Sequence, residues 1–505
     1  MQIAPIFSDN MVLQRDKDIP LWGSGTDGEI IRITFRNVNR ETVVKDGVWR
    51  CFLPPQEAGV EGVLSVTSKQ TSISFKNVII GDVWFAGGQS NMELALKDSL
   101  NGQDEVEDAS NPNIRFYKPI KQAIIDERFI TAEKTNTWQV CRPATAADVS
   151  AAAYFFAVWV NTKTSVPIGI IDCSWGGTSI SCWMSEKQLQ KSAAGQRYIS
   201  DYAALIGDKT DTDYERDMAE YLATWQAWDE RVQARRAIEP DVTWEVLNVE
   251  CGECPWPQPA GRKSPYRPTS LYYSMICRVA PFALKGFLYY QGEEDADLWY
   301  SDYAEMMYYL IDQWRTDWHD DELPFLFVQL PMYASKADVE AGLTDKGWAI
   351  LREQQFKVSK TIANTGMAVI IDKGEFDNIH PLDKQTVGFR LSLQALKKIY
   401  RKDVHADGPT FRRARNEEDV IRVFFDHASE GFKAVGDLDG FEVAGEDHAY
   451  HKAKVVIEGD TIVASCVDVP HPVYIRYAWT KFGPTPLFGK NGLPTMPFRS
   501  CKEDL

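Results

Sequence analysis

The first 78 residues alternate apolar and polar positions in short runs. The segments LWGSG, IIRITFRN and SISFKNVII carry this two-residue period, and Gly, Asp and Asn separate them. Several short strands at near-regular spacing are typical of a small β-sandwich. The pattern therefore predicts an N-terminal β module over residues 1–78.

The middle of the chain alternates helical periods with short, continuous apolar runs. Helical spacing is clearest in YAEMMYYLIDQWRTD and KQTVGFRLSLQALKKIY, whereas PIGIIDCSW and LPFLFVQLP are almost entirely apolar. This alternation predicts a parallel sheet with helices on both faces. We assign this α/β domain to residues 79–405, with an insertion at about 186–265. The insertion holds a long amphipathic helix, DYERDMAEYLATWQAWDERVQARRAIEP, and a loop containing Cys, Pro and Trp.

A strand pattern returns near Gly408, in VIRVFFDHA, AKVVIEGDTIVASCV and PVYIRYAW. It predicts a C-terminal β module over residues 406–505. Three units suit a chain of 505 residues, because domains commonly hold about 100–200 residues.

Charge and composition exclude some classes of function. The formal net charge is −17, and an acidic chain lacks the basic field that nucleic-acid binding requires. No run approaches the roughly 20 apolar residues that span a bilayer. The start, MQIAPIFSDNMVLQ, shows no secretory signal. We therefore expect no nucleic-acid or membrane partner, and a cytoplasmic protein, or a periplasmic or secreted one if a leader was removed.

The nine cysteines are spread over the whole chain and do not form a small disulfide framework. Cys251 and Cys254 form a lone CxxC, with no further His or Cys ligands at zinc-site spacing nearby. A loop disulfide or two free thiols is the favoured interpretation of that pair.

The segment GDVWFAGGQSNMELAL joins a buried apolar strand to a helix through a glycine-rich turn. Ser90 lies at the start of that helix, where backbone N–H groups and the helix dipole can stabilise an oxyanion. Ser90 is therefore a candidate nucleophile. Serine is also a favoured N-cap residue, and this segment alone does not decide between the two roles.

Two other strand ends carry groups that could stabilise an oxyanion. PIGIIDCSWGGTS ends in Gly176-Gly177, whose N–H groups no side chain covers, although a tight turn is the commoner reason for paired glycines. In KGFLYYQGEEDADLWY, a strand delivers Gln291 and Glu293 to the edge where α/β sheets bind ligands. Gln291 could donate its amide to an oxyanion, and Glu293 could accept hydrogen bonds that anchor the site.

The same segment is acidic beyond Glu293. We expect Glu294 and Asp297 to lie in a solvated loop.

The segment GEFDNIHPLDKQTVGFRL places His380 in a loop before a helix. Histidine is the usual general base because its pKa lies near neutrality. Asp377, three residues earlier, could orient the imidazole that activates a serine. Taken alone, His380 could equally be a surface-loop residue.

Together, these blocks resemble the sialate O-acetylesterase family, within the wider SGNH (GDSL-like) hydrolases. The likeness runs from IFSDNMVLQRDKDIPLWG through GDVWFAGGQSNMELAL, IGIIDCSWGGTSISCWMS and IHPLDKQTVGFRLSLQAL to PVYIRYAW. The resemblance implies a flavodoxin-like three-layer α/β/α core with a parallel sheet, flanked by N-terminal and C-terminal β-sandwich-like modules. It also implies hydrolysis of O-acetyl esters on sugars by a Ser-His(-Asp) mechanism with no metal or other cofactor.

The family's nucleophile falls on Ser90 and its base on His380. Its oxyanion donors fall on the Ser90 N–H, the Gly176-Gly177 turn and Gln291. The usual QGESN reads Gln-Gly-Glu-Glu-Asp here, and LYNGM reads Leu-Tyr-Tyr-Ser-Met. Residues before IHP vary in the family, so either Asp377 or a backbone carbonyl could orient His380.

Three substrate or ligand hypotheses follow from the resemblance. O-acetylated sialic acid is favoured, and its carboxylate would need a cation such as Arg352, Lys384 or Arg390, which could also be surface charges. An acetylated neutral glycan such as xylan is the alternative. Sugar-stacking candidates beside the motifs are Trp175, Trp183 and Trp299, although core packing is the commoner role for tryptophan. A non-catalytic carbohydrate-binding protein is the third hypothesis.

Overall fold

The structure is a computed structural model that describes residues 1–239, 242–342 and 346–503. The N-terminal region consists of short strands that follow the predicted two-residue period: β1 Gln2–Ile3, β2 Val12–Gln14, β3 Ile19–Ser24, β4 Ile30–Phe35, β5 Val38–Val43, β6 Val48–Leu53, β7 Gly59–Thr67 and β8 Ser72–Gly88. In β4 and β6, every second residue is buried, which is the burial expected of strands with one face on a core.

Strand β8 crosses the predicted boundary at residue 78 without a break. Its first part pairs with β7, and its second part pairs with strands of the central sheet. Gly81 allows Pro167, which precedes Ile168 in the chain, to approach the strand closely, because a Cβ at position 81 would overlap the Pro167 carbonyl. The N-terminal strands and the central domain therefore share one strand and one hydrophobic core.

The central domain alternates strands with helices. Its strands are β9 Asn111–Tyr117, β10 Gln139–Cys141, β11 Ile168–Ser174, β12 Gly286–Tyr290, β13 Phe325–Gln329, β14 Tyr333–Ala334, β15 Thr365–Val369 and β16 Glu375–Phe376. Its helices are α1 Ser90–Glu93, α2 Gly102–Asp108, α3 Glu127–Thr135, α4 Pro143–Ala146, α5 Ala151–Thr164, α6 Glu186–Leu189, α7 Ala193–Ile206, α8 Asp211–Ile238, α9 Trp244–Cys251, α10 Cys277–Val279, α11 Tyr303–Asp317, α12 Lys336–Glu340, α13 Gly347–Thr361 and α14 Lys384–Lys398. Short 3-10 helices cover Leu96–Asp98, Ile180–Trp183, Tyr300–Asp302 and Ile371–Lys373, and a π-helical turn covers Tyr272–Ile276.

The central sheet has the order β10-β9-β11-β8-β12-β13-β15, and all neighbours from β9 to β15 are parallel. Two consecutive residues of β8 show that both faces are covered. Trp84 packs edge-on against Phe156 of α5, whereas Phe85 packs against Trp314 of α11. Successive strand residues point to opposite faces, so the predicted helix–sheet–helix layering is present.

The helix predicted after Ser90 is much shorter than the sequence indicates. Helix α1 ends at Glu93, because the next residues pair with another segment: Leu96 N–H donates to the Val149 carbonyl at 2.8 Å, and Ala95 forms a β-bridge with Ser150. The helix predicted over residues 303–317 is confirmed by α11.

The predicted insertion contains the 28-residue helix α8. Thr210 and Asp213 form a capping box at its N-terminus, which satisfies two backbone N–H groups. Pro240, the last residue of the predicted helical segment, lies outside the described residues.

The C-terminal region forms antiparallel sheets around a hydrophobic core that is largely its own. Its strands are β17 Thr410–Glu417, β18 Val420–Asp426, β19 Phe432–Ala434, β20 Phe441–Ala444, β21 His451–Lys452, β22 Lys454–Glu458, β23 Thr461–Ser465, β24 Tyr474–Tyr477, β25 Leu487–Gly489 and β26 Phe498–Arg499. The last two residues of the predicted module, 504–505, lie outside the described chain. Across the described ranges, no helix combines the length and apolar character needed to cross a membrane.

Candidate active site

Three loops meet where parallel strands β8, β11 and β12 end. Ser174 of β11 and Tyr290 of β12 both lie opposite Gly88 of β8. Gly88 has φ +136°, and a Cβ there would overlap the Tyr290 carbonyl. Only glycine therefore lets the strand ends approach this closely. The loops that follow carry Ser90, the Gly176-Gly177 turn and Gln291.

Ser90 is the first residue of α1 and is half-buried. Neither its N–H nor its hydroxyl makes a hydrogen bond to any described residue. The residue before it is locked in place, because Gln89 Oε1 accepts hydrogen bonds from the N–H groups of Gly292 and Glu294 at 3.3 and 3.2 Å. The turn before Ser90 is thus fastened to the loop after β12.

The two glycines after β11 differ in whether the backbone N–H group already donates a hydrogen bond. A Cβ placed on Gly176 would lie 3.2 Å from Ser90 Cβ, so this turn borders the serine. The Gly176 N–H donates to Glu93 Oε2 at 2.5 Å and is occupied. The Gly177 N–H donates to no described residue, and its φ of +70° favours glycine.

Gln291 does not have the free amide that an oxyanion donor needs. The residue is buried, and its Nε2 donates to Gln89 Oε1 at 3.1 Å, to the Thr178 carbonyl at 3.2 Å and to Asp295. Its Oε1 accepts from the Tyr303 hydroxyl at 2.6 Å. The prediction that Gln291 stabilises the oxyanion directly is at odds with this geometry, because both amide hydrogens are used inside the protein.

A buried polar network links the serine helix to the histidine loop. Asn91 Nδ2 donates to Glu293 Oε1 at 2.5 Å and to the Ile379 carbonyl at 2.9 Å. Asn91 Oδ1 accepts from Lys384 Nζ at 2.5 Å. Lys384 also donates to the Pro381 carbonyl at 2.8 Å. Every donor and acceptor of the Asn91 amide is therefore used to hold the two loops together.

Burial acts on both ionisable members of this network. Desolvation raises the pKa of Glu293, and the hydrogen bond from Asn91 and the charge of Lys384 oppose the rise. Desolvation lowers the pKa of Lys384, against the charges of Glu293, Glu375 and Asp383. Removal of one partner would leave the other buried without its opposite charge, which is costly.

His380 lies between β16 and α14 and is half-buried. Its backbone N–H donates to Asn378 Oδ1 at 3.0 Å, while Asn378 Nδ2 donates to Glu375 Oε2 at 2.7 Å. Burial and the nearby charge of Lys384 lower the pKa of His380 to about 4. The imidazole is therefore neutral at physiological pH, which is the form a general base needs.

Asp377 lies close to His380 in sequence, but its side chain is engaged elsewhere. Its Oδ1 accepts from the Lys336 N–H at 3.1 Å, and its own N–H donates to the Ala334 carbonyl at 3.1 Å. In the described ranges, neither Asp377 nor a backbone carbonyl hydrogen-bonds the His380 ring. The predicted orienting role of Asp377 has no support in this geometry.

The three cations considered for a substrate carboxylate are all buried. Arg352 and Lys384 have side chains almost fully removed from solvent, and Arg390 pairs with Asp372 at 2.5 Å. The interpretation of these residues as surface charges is therefore wrong, whereas their role as ligands of a substrate carboxylate stays a prediction.

The three tryptophans considered for sugar stacking differ in their exposure to solvent. Trp183 is buried and unavailable to a sugar, and the ring centroid of Trp299 lies 4.5 Å from that of Tyr198, whereas Trp175 remains half-exposed beside the glycine turn.

In the acidic loop after Glu293, Asp297 is exposed as predicted. Glu294 is half-buried, and desolvation raises its pKa to about 8, so the solvated-loop prediction is wrong for Glu294.

Sequence reasoning missed three residues that build the site: Gln89, Asn91 and Asp295. The first two flank Ser90 in GGQSN, and that adjacency was the available signal. Asp295 is fully buried and accepts from the Ile180 N–H at 3.0 Å and the Tyr198 hydroxyl at 2.5 Å. Burial raises its pKa to about 6. The acidic composition of its loop concealed this structural role.

Cys251 and Cys254 are free thiols, the first buried and the second exposed. Within the part of the chain that is described, no group of three or more His, Cys, Asp or Glu side chains is arranged to hold a metal ion.

The family model described as "carbohydrate esterase, sialic acid-specific acetylesterase" matches residues 80–206 and 259–388. The chain belongs to this family. Both matched stretches carry site loops, the first with Ser90 and Gly177 and the second with Glu293 and His380.

Similar proteins agree with this assignment. A solved carbohydrate acetylesterase from Xanthomonas citri superposes with a TM-score of 0.77 at 30% identity, over 99% of both chains. Mouse sialate O-acetylesterase is 29% identical over 446 residues, which is 81% of this chain and 75% of the relative. The human counterpart is 25% identical over 441 residues, or 81% and 73% of the two chains. The predicted family, the α/β fold class and the carbohydrate O-acetylesterase function are confirmed for this esterase.

Proposed function

We propose that this esterase cleaves O-acetyl groups from sugars through a Ser90–His380 pair. The observation that carries the proposal is the hydrogen bond from Asn91 to the Ile379 carbonyl, which joins the residue after Ser90 to the residue before His380. It holds the candidate nucleophile and base at the rim where strands β8, β11 and β12 end. Open α/β sheets bind their ligands at such rims.

The reaction has two acyl-transfer steps. His380 takes the Ser90 proton while Ser90 Oγ attacks the acetyl carbonyl, and the resulting oxyanion accepts hydrogen bonds from the N–H groups of Ser90 and Gly177. Collapse breaks the ester bond, and the histidine returns its proton to the departing sugar oxygen. A water molecule, deprotonated by His380, then attacks the acetyl-enzyme, and the bond to Ser90 Oγ breaks as His380 returns the proton to that oxygen and acetate leaves. No cofactor is needed for either step.

The supporting residues set the geometry. Glu293 and Lys384 fix Asn91, while Gln291 fixes Gln89, so the predicted role of Glu293 as an anchor of the site is retained in the proposal. Gln291 takes a positioning role instead of an oxyanion role. Gly176 could join the oxyanion donors only if its N–H left Glu93.

Covalent labelling tests the proposal. A fluorophosphonate reacts with an activated serine, so intact-protein mass spectrometry should show one adduct, and peptide mapping should locate it on Ser90. His380→Ala should slow the labelling strongly. A labelled residue other than Ser90, or no labelling at all, would overturn the assignment of Ser90 as the nucleophile.

Two acetylated substrates are candidates. O-acetylated sialic acid is suggested by the names of the mouse and human relatives. An acetylated neutral glycan is the other candidate, because Arg352, Lys384 and Arg390 are buried and already hold partners inside the fold. Acetate release from the two substrate classes, measured side by side, distinguishes them.

A further inference from the structure

An exposed tryptophan from the insertion lies directly over the glycine turn of the site. Trp256 is 49% exposed. A Cβ built on Gly177 would overlap its ring, so the indole contacts the Gly177 backbone. Gly176, the preceding residue, borders Ser90. Trp256 therefore packs on the turn that borders the candidate nucleophile.

Trp256 belongs to a segment that the family model does not match. The family model matches up to residue 206 and resumes at residue 259, whereas Trp256 lies between these limits. The catalytic loops thus come from the family core, and this aromatic residue comes from the inserted segment.

The loop that presents Trp256 is held by helix α8. The Tyr221 hydroxyl donates to the Pro255 carbonyl at 2.9 Å, and Trp228 Nε1 donates to the Gly252 carbonyl at 2.8 Å. Arg231 donates to the Cys251 carbonyl at 3.0 Å. An aromatic ring held in this way loses little conformational freedom when a ligand stacks on it.

A second aromatic ring supports the first. Tyr266 meets Trp256 edge-on, with ring centroids 5.4 Å apart. Cys182, which follows the glycine turn, donates from Sγ to the Tyr266 carbonyl at 3.5 Å. The two rings and the turn form one continuous surface. The exposed indole of Trp256 suits the apolar C–H face of a pyranose ring.

A cleft of about 530 Å³ lies beside this surface and is lined in part by Trp175, the residue before Gly176. Its two cations are already paired. Lys121 binds Glu93, and Lys263 lies 2.7 Å from Glu215 and 3.4 Å from Asp211.

Asp126 adds another carboxylate to the cleft wall. The described cleft wall therefore carries two acidic and two basic side chains, and because both lysines are already paired, it offers no unpaired lysine to an anionic sugar.

We propose that Trp256, supported by Tyr266, forms a sugar-binding subsite that selects neutral, O-acetylated oligosaccharides. One pyranose ring stacks on the indole while its acetyl ester reaches Ser90, and neighbouring sugar units occupy the cleft beside Trp175. The inference rests on the proposed function, because it takes Ser90 as the nucleophile.

Kinetics on two esters test the subsite. For Trp256→Ala, we expect kcat/KM on acetylated xylo-oligosaccharides to fall about tenfold, mainly through KM, as removal of an apolar binding face predicts. The fall on p-nitrophenyl acetate should be much smaller, because this ester has no sugar ring. Trp256→Phe should recover most of the loss. Tyr308→Ala, which removes an aromatic residue 52% exposed on α11, is the matched control and should change neither rate.

Equal losses on both esters for Trp256→Ala would overturn the subsite. So would a higher kcat/KM on 9-O-acetyl-N-acetylneuraminic acid than on the acetylated xylo-oligosaccharides.

A binding measurement separates failure of the subsite from failure of the proposed mechanism. Isothermal titration of xylohexaose into Ser90→Ala should give a Kd at least fivefold lower than titration into the Ser90→Ala/Trp256→Ala double variant. If Ser90→Ala kept its esterase rate and this difference in Kd persisted, the nucleophile would be wrong and the subsite would stand. Equal Kd values would overturn the subsite whatever the role of Ser90.

Discussion

Asn91 Nδ2 donates a 2.9 Å hydrogen bond to the carbonyl of Ile379, and 288 positions of sequence separate the two residues. The bond ties the first turn of α1 to the loop that carries His380. Asn91 also contacts Glu293 and Lys384, so one amide joins three loops.

Asn91→Ala should lower both stability and turnover. The change leaves Glu293 and Lys384 buried without their shared partner, and we expect the free energy of unfolding to fall by about 1–3 kcal/mol. The value of kcat on p-nitrophenyl acetate should fall more than KM rises, because the base loop loses its tether. Asn113→Ala, an exposed position on β9, is the control for denaturant unfolding. An Asn91→Ala protein with the kcat of the unaltered chain would rule out the tether.

Ser90→Ala should abolish most of the esterase activity and leave the fold intact. Loss of a serine nucleophile costs about 10³-fold or more in kcat, and the hydroxyl makes no hydrogen bond to a described residue. We expect an unchanged unfolding midpoint in the same preparation that shows the rate loss. Full acetate release by Ser90→Ala would disprove the proposed mechanism.

Asp377→Asn should lower kcat less than tenfold. In a serine triad, the same change to the orienting aspartate costs about 10⁴-fold. The Asp377 carboxylate accepts a backbone N–H from Lys336, and an asparagine oxygen can accept that bond. His380→Ala, measured in parallel, sets the scale for a true loss of the base. A 10³-fold or larger effect of Asp377→Asn would restore Asp377 as the third triad member.

Gln291→Ala should act on stability first. Its amide holds Gln89 and Asp295, so we expect a loss of about 1–3 kcal/mol in the free energy of unfolding. Direct removal of an oxyanion donor would instead cost about 10²–10³-fold in kcat. Gln103→Ala, at an exposed position of α2, is the control. A stable Gln291→Ala protein with a 10²-fold lower kcat would return Gln291 to the oxyanion site.

The pH dependence of kcat/KM should report the lowered pKa of His380. A general base works in its neutral form, so the rate falls as pH drops through its pKa. Burial and the charge of Lys384 lower this pKa from about 6.5 to about 4, which places the acid limb near pH 4. Lys384→Met removes the charge and should move the limb to higher pH. An acid limb near pH 6.5 for the unaltered chain would contradict the lowered pKa of His380.

Local patterns in the sequence determined much of the fold of this protein. Two-residue alternation predicted the strands at both ends of the chain, and continuous apolar runs predicted a parallel sheet covered on both faces. These signals are local because side-chain direction in a strand or helix depends on neighbours a few positions away. The glycine turns after β8 and β11 also follow local chemistry, so the sequence placed Ser90 and Gly177 at the rim.

Only the tertiary structure decided which polar groups remain free at that rim. Gln291 meets Gln89 across 202 positions, and Lys384 meets Asn91 across 293. Such pairs depend on how distant segments pack, and no local period encodes them. The same packing buried the predicted cations, turned the Asp377 carboxylate toward Lys336 and set Trp256 over Gly177. Burial and pairing decide whether a polar side chain is available to a substrate, and both are properties of the folded chain as a whole.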